Sequence, residues 1–460
     1  MTSIGDNPPA RPPAPTPPNA GAGTSALAGG WERLHPLSAV VRAGRGTLAL
    51  LVVMAVSAVS RNGSGTQDLV RLGLVAVVLL VGLVSWLVTR WRVSDGVLQV
   101  DTGLLRRSSL RYPLTQIQAI DVVRPGLARV LGMAELRLRM AGAKGSSGRL
   151  AYLSSVSAEQ LRARLLAMAH GLDEHEPAPP ERPLYQVDPK RLIASLLISG
   201  PAMALELAIV VLVLVALIKP GAAGAVLASG ATAFLGVSSA LWQRFNGEYR
   251  LVVAEAPDGL RVRAGLIETS AETIPRGRVQ ALRLVQPLTW RPFGWCRIEV
   301  DLAGRATGGR RNRAAKRAGR ALLPVGTLAQ AQALIERVMP DVPTERRRPP
   351  ARARWKAPLR FRHLSYGLND RYAVTVSGRL RVVTDWVPLG KVQSVRRTEG
   401  PLQRRIGLAS VHLDTAGRMI FAVARDRDRS EADGLLASLP GACRAARAGE
   451  TGIGTGRRRF

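Results

Sequence analysis

The side chains that could do chemistry are few and scattered. No serine sits in a G-x-S-x-G elbow, and none of the five histidines stands at a spacing that pairs it with a nucleophile or a second metal ligand. Cys296 and Cys443 lie far apart without CxxC spacing, which argues against a thiolate zinc site and a disulfide framework. Gly452-Ile-Gly-Thr-Gly456 has the glycine content of a phosphate loop, but no strand precedes it and the chain ends soon after, so it reads as tail. No catalytic residue, metal ligand or cofactor is nominated. Glu206 is the exception among the polar groups: it stands in a long apolar run, five residues after Pro201. A carboxylate in hydrocarbon must be protonated, paired or turned to a cavity. Glu206 is therefore either a proton or ligand site, or a neutral acid hydrogen-bonded across a helix pair to a hydroxyl such as Ser199, Ser238 or Ser239. Pro201 is expected to kink the run that carries it.

The second chemistry is electrostatic. Lys and Arg outnumber Asp and Glu by 65 to 33 while 47% of residues are apolar, a combination that requires grease and charge to occupy different segments. Two acid-poor clusters stand out. The first holds Arg310, Arg311, Arg313, Lys316 and Arg317. The second holds Arg346, Arg347, Arg348, Arg352, Arg354 and Lys356, with Trp355 and Phe361 interleaved. Beside a bilayer such clusters attract anionic phospholipid at about 1 kcal/mol per basic side chain. Nucleic acid is the rival partner, but no recognised nucleic-acid fold accompanies the clusters. An arginine-rich composition would also place Arg in exposed loops without any ligand.

Four apolar stretches divide the chain: Gly46 to Ser60, Leu72 to Val88, Leu192 to Ile218 and Gly221 to Trp242. A spanning helix needs about 20 residues, so the stretches predict two transmembrane hairpins. The turns between them hold only Arg61, Arg71 and Lys219 as cations, whereas the segments after each hairpin are rich in Lys and Arg. The positive-inside rule then puts both termini and the soluble segments on the cytoplasmic side of the cell membrane. Residues 1–30 are rich in Pro, Ala and Gly and read as a disordered tail.

The soluble segments repeat. Pro113-Leu-Thr-Gln-Ile-Gln118, Pro275-Arg-Gly-Arg-Val-Gln280 and Pro388-Leu-Gly-Lys-Val-Gln393 share one pattern, and fourteen residues after each glutamine comes Gly132, Gly294 or Gly407. An Ala-Gly pair follows at constant distance, ending at Gly142, Gly304 and Gly417. Identical spacing three times over marks a repeated unit. Alternating stretches such as Leu136-Arg-Leu-Arg139 and Ile298-Glu-Val-Asp301 predict half-buried antiparallel strands. Ala158 to Ala169, Leu328 to Val338 and Ser430 to Leu439 predict one closing helix per unit. The prolines and glutamines of the repeat read as turn and strand-pinning residues rather than ligand contacts.

This order of glycine-led strand, P-x-x-x-[IV]-Q, second glycine, alternating strand and closing helix resembles the bacterial pleckstrin-homology-like domain. With its hairpins, and with Trp31-Glu-Arg-Leu-His-Pro-Leu-Ser38 ahead of the first, the chain is similar to the YdbT-type membrane proteins. The resemblance implies membrane α-helical hairpins plus α+β modules, each a strongly bent antiparallel sheet or partly open barrel capped by a C-terminal helix. It departs from the family in having a basic linker, not a hairpin, before the third unit. The expected divisions are tail 1–30, hairpin 31–89, module 90–171, linker 172–191, hairpin 192–242, module 243–340, basic linker 341–362, module 363–447 and flexible tail 448–460. The expected function is a non-enzymatic scaffold of the cytoplasmic membrane whose modules bind a protein, a peptide or anionic headgroups. The alternative is a transporter or export accessory working through Glu206, which with four spans would need to form a homo-oligomer.

Overall fold

A computed structural model describes residues 31–33, 38, 73, 77, 80, 84, 87–94, 97–103, 108–114, 117–140, 147–170, 181–219, 223–256, 259–303, 321–417 and 419–456. The tail 1–30, nearly all of the first hairpin, and Arg310, Arg311, Arg313, Lys316 and Arg317 lie outside the described residues.

The first module comprises β1 (Glu32–Arg33), β2 (Arg90–Ser94), β3 (Val97–Thr102), β4 (Ser108–Pro113), β5 (Ile117–Arg124), α1 (Gly126–Val130), β6 (Met133–Met140), β7 (Ser147–Ser154) and α2 (Ser155–His170). The second comprises β8 (Arg182–Gln186), α3 (Pro189–Leu197), α4 (Gly200–Ile218), α5 (Ala223–Glu248), β9 (Val252–Ala256), β10 (Gly259–Ala264) and β11 (Thr269–Ile274). It continues with β12 (Val279–Pro287), β13 (Trp295–Leu302), β14 (Ala321–Thr327) and α6 (Leu328–Val338). The third comprises α7 (Ala353–Lys356), β15 (Ser365–Leu368), β16 (Tyr372–Ser377), β17 (Arg381–Pro388), β18 (Val392–Thr398), α8 (Pro401–Arg405), β19 (Leu408–Thr415), β20 (Ala422–Asp428) and α9 (Arg429–Gly456).

Every module is thus a leading half-sheet, a trailing three-stranded half-sheet and a closing helix. The halves do not stay within their own module. The sheets run β1-β2-β3-β4, then β7-β6-β5-β11-β10-β9-β8, then β14-β13-β12-β17-β16-β15, and finally β18-β19-β20, all antiparallel. The trailing half of one module is therefore hydrogen-bonded to the leading half of the next, through β5 with β11 and through β12 with β17. Burial follows from this position. Val279 to Val285 are buried but for Arg283, because β12 has a strand on either side and packing on both faces. The equivalent residues of β18 are mostly polar and half or fully exposed.

The repeat motif acquires a mechanical meaning. Pro275 and Pro388 each open a single 3-10 turn, with φ of −62° and −63°. Pro113 closes β4, and the inward Val279 and Val392 are buried. The glutamine that follows is skipped by the pairing in all three copies: the register shifts between Ile117 and Ala119, between Val279 and Ala281, and between Val392 and Ser394. Gln118, Gln280 and Gln393 are thus β-bulge residues, which bend the strand and raise its twist. Gly132, Gly294 and Gly407 have φ of +69°, +63° and +67°. A left-handed backbone excludes a side chain at low cost there, although space is open around Gly132 and Gly294.

Four divisions differ from those read in the sequence. Residues 172–191 are not simply a linker, because β8 pairs with β9 and starts the second sheet before the second hairpin. The run Leu192 to Ile218 is not one helix: it breaks between α3 and α4, and Leu192, Ser195 and Leu196 of α3 are buried in the second module. The C-terminal helix continues to Gly456, through residues read as flexible tail. The basic linker 341–362 is also structured. Arg347 forms an antiparallel bridge with Tyr366, in the place that β8 holds against β9. Residues 351–364 then occupy the chain position of the missing hairpin.

Candidate functional site

The second hairpin grows out of a module. Asp188 caps α3 by accepting from the Lys190 amide at 2.9 Å. The Ser199 hydroxyl donates to the Leu196 carbonyl at 2.6 Å, where Pro201 in the first turn of α4 supplies no amide. Together they make a 49° bend between α3 and α4. Helices α4 and α5 pack closely at Gly230, where an added Cβ would lie 2.8 Å from Leu212 Cδ1. Away from that contact the hairpin shows apolar side chains outward, with Leu207, Val210, Val213 and Leu217 all exposed. Among the described residues no single helix is long and apolar enough to cross a membrane; the bent pair of α3 and α4 meets that test together. Glu206 is exposed on α4 and has no hydrogen-bond or ion-pair partner among the described residues, so none of Ser199, Ser238 and Ser239 pairs with it.

The foot of the hairpin is aromatic and charged. Trp242, Phe245 and Tyr249 form a ladder on α5 and its exit, with centroids 5.9 and 5.3 Å apart. Below it, Glu248 is completely buried and accepts from Arg297 on β13 at 2.6 Å, with Arg244 at 3.4 Å on its other oxygen. Arg297 also reaches Glu299 at 2.9 Å. Burial disfavours the Arg297 charge, but Glu248 and Glu299 more than offset it and leave its pKa raised. A backbone clamp adds to the joint: the Leu266 amide donates to the Asn246 carbonyl at 2.9 Å and the Ile267 amide to Asn246 Oδ1 at 2.7 Å.

These contacts place both module junctions at the hairpin foot. At the first, Arg129 of α1 donates to the Leu266 carbonyl. At the second, Arg291 of the 3-10 turn Leu288–Phe293 donates to the Arg379 carbonyl, the Leu288 amide donates to the Leu380 carbonyl at 2.7 Å, and Trp290 lies under Arg244. The tips of these turns are exposed and apolar: Val130, Ile267, Leu288, Phe293 and Leu380. Burial, then the charges of Arg291, Arg379 and Arg362, hold the His363 imidazole below its usual range. The segment that replaces the third hairpin meets this group, and within it Trp355 is 84% and Leu359 64% exposed. One end of the molecule thus carries the hairpin, apolar tips and a basic field.

The model of the bacterial PH domain matches residues 40–169, 195–341 and 351–441, most of the chain in three consecutive copies. The chain belongs to the bacterial PH domain family. No curated protein and no solved structure matches it.

Within this bacterial PH domain array the basic residues nominated from sequence divide. Arg352 pairs with Asp428, and Lys356 Nζ lies 2.5 Å from Asp426, so both hold α7 onto the third module. Arg347 sits in the β-bridge. Burial lowers the Arg346 pKa. Arg348 and Arg354 are exposed cations. Arg291 and Arg379 come from separate stretches, and only the fold joins them, through the Arg291 hydrogen bond to the Arg379 carbonyl; with Arg362 they depress the His363 pKa. Among the described residues no group of His, Cys, Asp or Glu could hold a metal ion. Burial pushes the Cys296 thiol up to about 12, which leaves it a packed side chain and not a nucleophile. An open cleft of about 440 Å³ between Leu260, Ile274, Val279 and α6 has Glu255 and Arg337 at its rim, but these two are paired at 2.6 Å.

Proposed function

We propose that the protein is a non-catalytic interaction scaffold of the cytoplasmic membrane. Its bacterial PH modules lie in a row along the inner leaflet with the hairpin-bearing end toward anionic headgroups. The observation that carries this reading is the coincidence at one end of an outward-apolar hairpin, an aromatic ladder, apolar turn tips and a basic cluster. Helix α4 has 19 residues, about 28 Å at 1.5 Å per residue, and together with the bent α3 it meets the length and apolarity that roughly 30 Å of hydrocarbon asks for. The Trp242 ladder matches the aromatic belt of an interface. Trp355 and Leu359 would insert beside Arg354 where the third module has no hairpin, and the basic side chains would add about 1 kcal/mol each. Both termini and all modules are assigned to the cytoplasmic side, with Lys219 outside.

The transport reading finds less support. Glu206 faces outward from α4, with no ion-pair or hydrogen-bond partner among the described residues.

The test is quenching of tryptophan fluorescence by brominated lipid in vesicles carrying the full chain. Quenching that Trp355→Phe reduces, and that rises with the share of anionic lipid, is the expected result. Equal quenching of both proteins in neutral and anionic vesicles would refute headgroup contact by the third module.

A further inference from the structure

The same junction is built twice inside the chain, and its two halves are left over at the ends. Counting back from Pro275 and Pro388 and forward from Gln118 and Gln280, the two junctions have one register. Ser270 faces Val123 and Ala271 faces Val122 in the first; Val383 faces Val285 and Thr384 faces Leu284 in the second. The second continues with Asp385 opposite Arg283, joined by two hydrogen bonds of 2.6 and 3.0 Å. Each junction also has an arginine three residues before the left-handed glycine, Arg129 or Arg291, donating to a carbonyl of the next module.

The third module presents the donor half of this junction and the first module the acceptor half. Among the described residues, β18 is an edge strand paired only with β19, and β4 is an edge strand paired only with β3. Arg404, at the position of Arg129 and Arg291, is exposed and its side chain has no partner among the described residues. Leu402 on the same turn is exposed, as Val130 and Leu288 are at the two filled junctions. We infer that copies of this chain join head to tail, β18 of one copy adding to β4 of the next in the register of the internal junctions. That register puts Arg397 opposite Ser109, Arg396 opposite Leu110 and Val395 opposite Arg111. It sets no arginine directly against another; Arg397 is paired with Glu399 and Asp433, and Arg396 is paired with Asp414 while its side chain stays 55% exposed and open to a further partner. Addition of a strand to an open edge satisfies its backbone groups, and a head-to-tail contact repeats into a row or closes into a ring. The inference stands on strand topology and is independent of headgroup binding.

Oxidation of the full chain in mild detergent, carrying Leu110→Cys with Arg396→Cys, tests it. Both native cysteines are buried. The expected result is a ladder of dimers and larger species on a non-reducing gel. Leu110→Cys with Arg397→Cys, shifted by one residue onto opposite faces, should give none. No ladder, a cross-link within one copy, or equal ladders from both pairs would overturn the inference. Self-association by mass photometry gives a signed second readout on uncross-linked chains. L110D rebuilds the Asp385–Arg283 pair across copies and should tighten association roughly threefold; L110R should weaken it by as much, and Arg404→Ala should weaken it too. Association that none of the three changes overturns the inference.

Discussion

Replacing Arg297 by Met would remove the main partner of a carboxylate that water cannot reach. Glu248 is 0% exposed and Arg297 8%, and their contact is 2.6 Å. What remains for Glu248 is Arg244, more exposed at 29% and at 3.4 Å. Breaking a buried pair from one side typically costs about 3–5 kcal/mol, because it strands a charge. The surviving Arg244 puts Arg297→Met near the lower figure, about 3 kcal/mol. At about 2–4 °C per kcal/mol for a unit of this size, the melting temperature should fall by roughly 6–12 °C. The change is readable in the fluorescence of the protein in detergent, since Trp290 is buried beneath Arg244. The decisive arm is the double variant Arg297→Met with Glu248→Leu. Removing both charges leaves an apolar contact of similar volume, and the partners left behind, Arg244 at 29% and Glu299 at 24% exposure, keep access to water, so the double variant should recover at least about half of the loss. A single variant that melts within 2 °C of the parent, or a double variant as unstable as the single, would refute the account of this joint as a coupled buried pair.

Two further outcomes follow from the same geometry. Gly294→Ala should cost about 1–2 kcal/mol, measured by urea unfolding, because its φ of +63° is left-handed and not because space is short. A loss below 0.3 kcal/mol would contradict this. Stability should also decline as pH falls below 6.5. Burial and nearby arginines depress His363 and His412 in the folded chain, so the unfolded chain takes up protons that the folded chain refuses. Replacing both by Asn should flatten the melting curve between pH 7 and 5; an unchanged slope would remove these two groups as its cause.

The repeat was legible because it is local. The prolines, bulge glutamines and left-handed glycines each solve a backbone problem within a few residues, and the spacing survives in three copies. The pairing of one module with the next was not legible, since nothing near Val122 announces Ala271 as its neighbour. Two signals were nevertheless present. Ala281 to Val285 read as a strand buried on both sides, while Ser394 to Thr398 at the same place do not. An arginine precedes each repeat glycine by three residues in every copy, at Arg129, Arg291 and Arg404. The hairpin was read as preceding its module because apolar length marks helices well, whereas β8, with Pro183 inside it, carries little strand pattern. Glu206 looked meaningful from sequence alone; its outward setting on α4 depends on the turn of the helix relative to α5.

Sheets shared between neighbours also set a timetable. During synthesis β5 emerges long before Thr269–Ile274, the strand that will lie against it, and the second hairpin must be made in between. At roughly 5–20 residues per second, the trailing half of the first module waits on the order of ten seconds with its edge uncovered. β12 waits in the same way for Arg381–Pro388. Each newly made half-domain is therefore completed by the domain that follows, so the order of translation is built into the assembly. A ribosome that stalls between modules would release a chain with a raw sheet edge rather than a shorter finished protein.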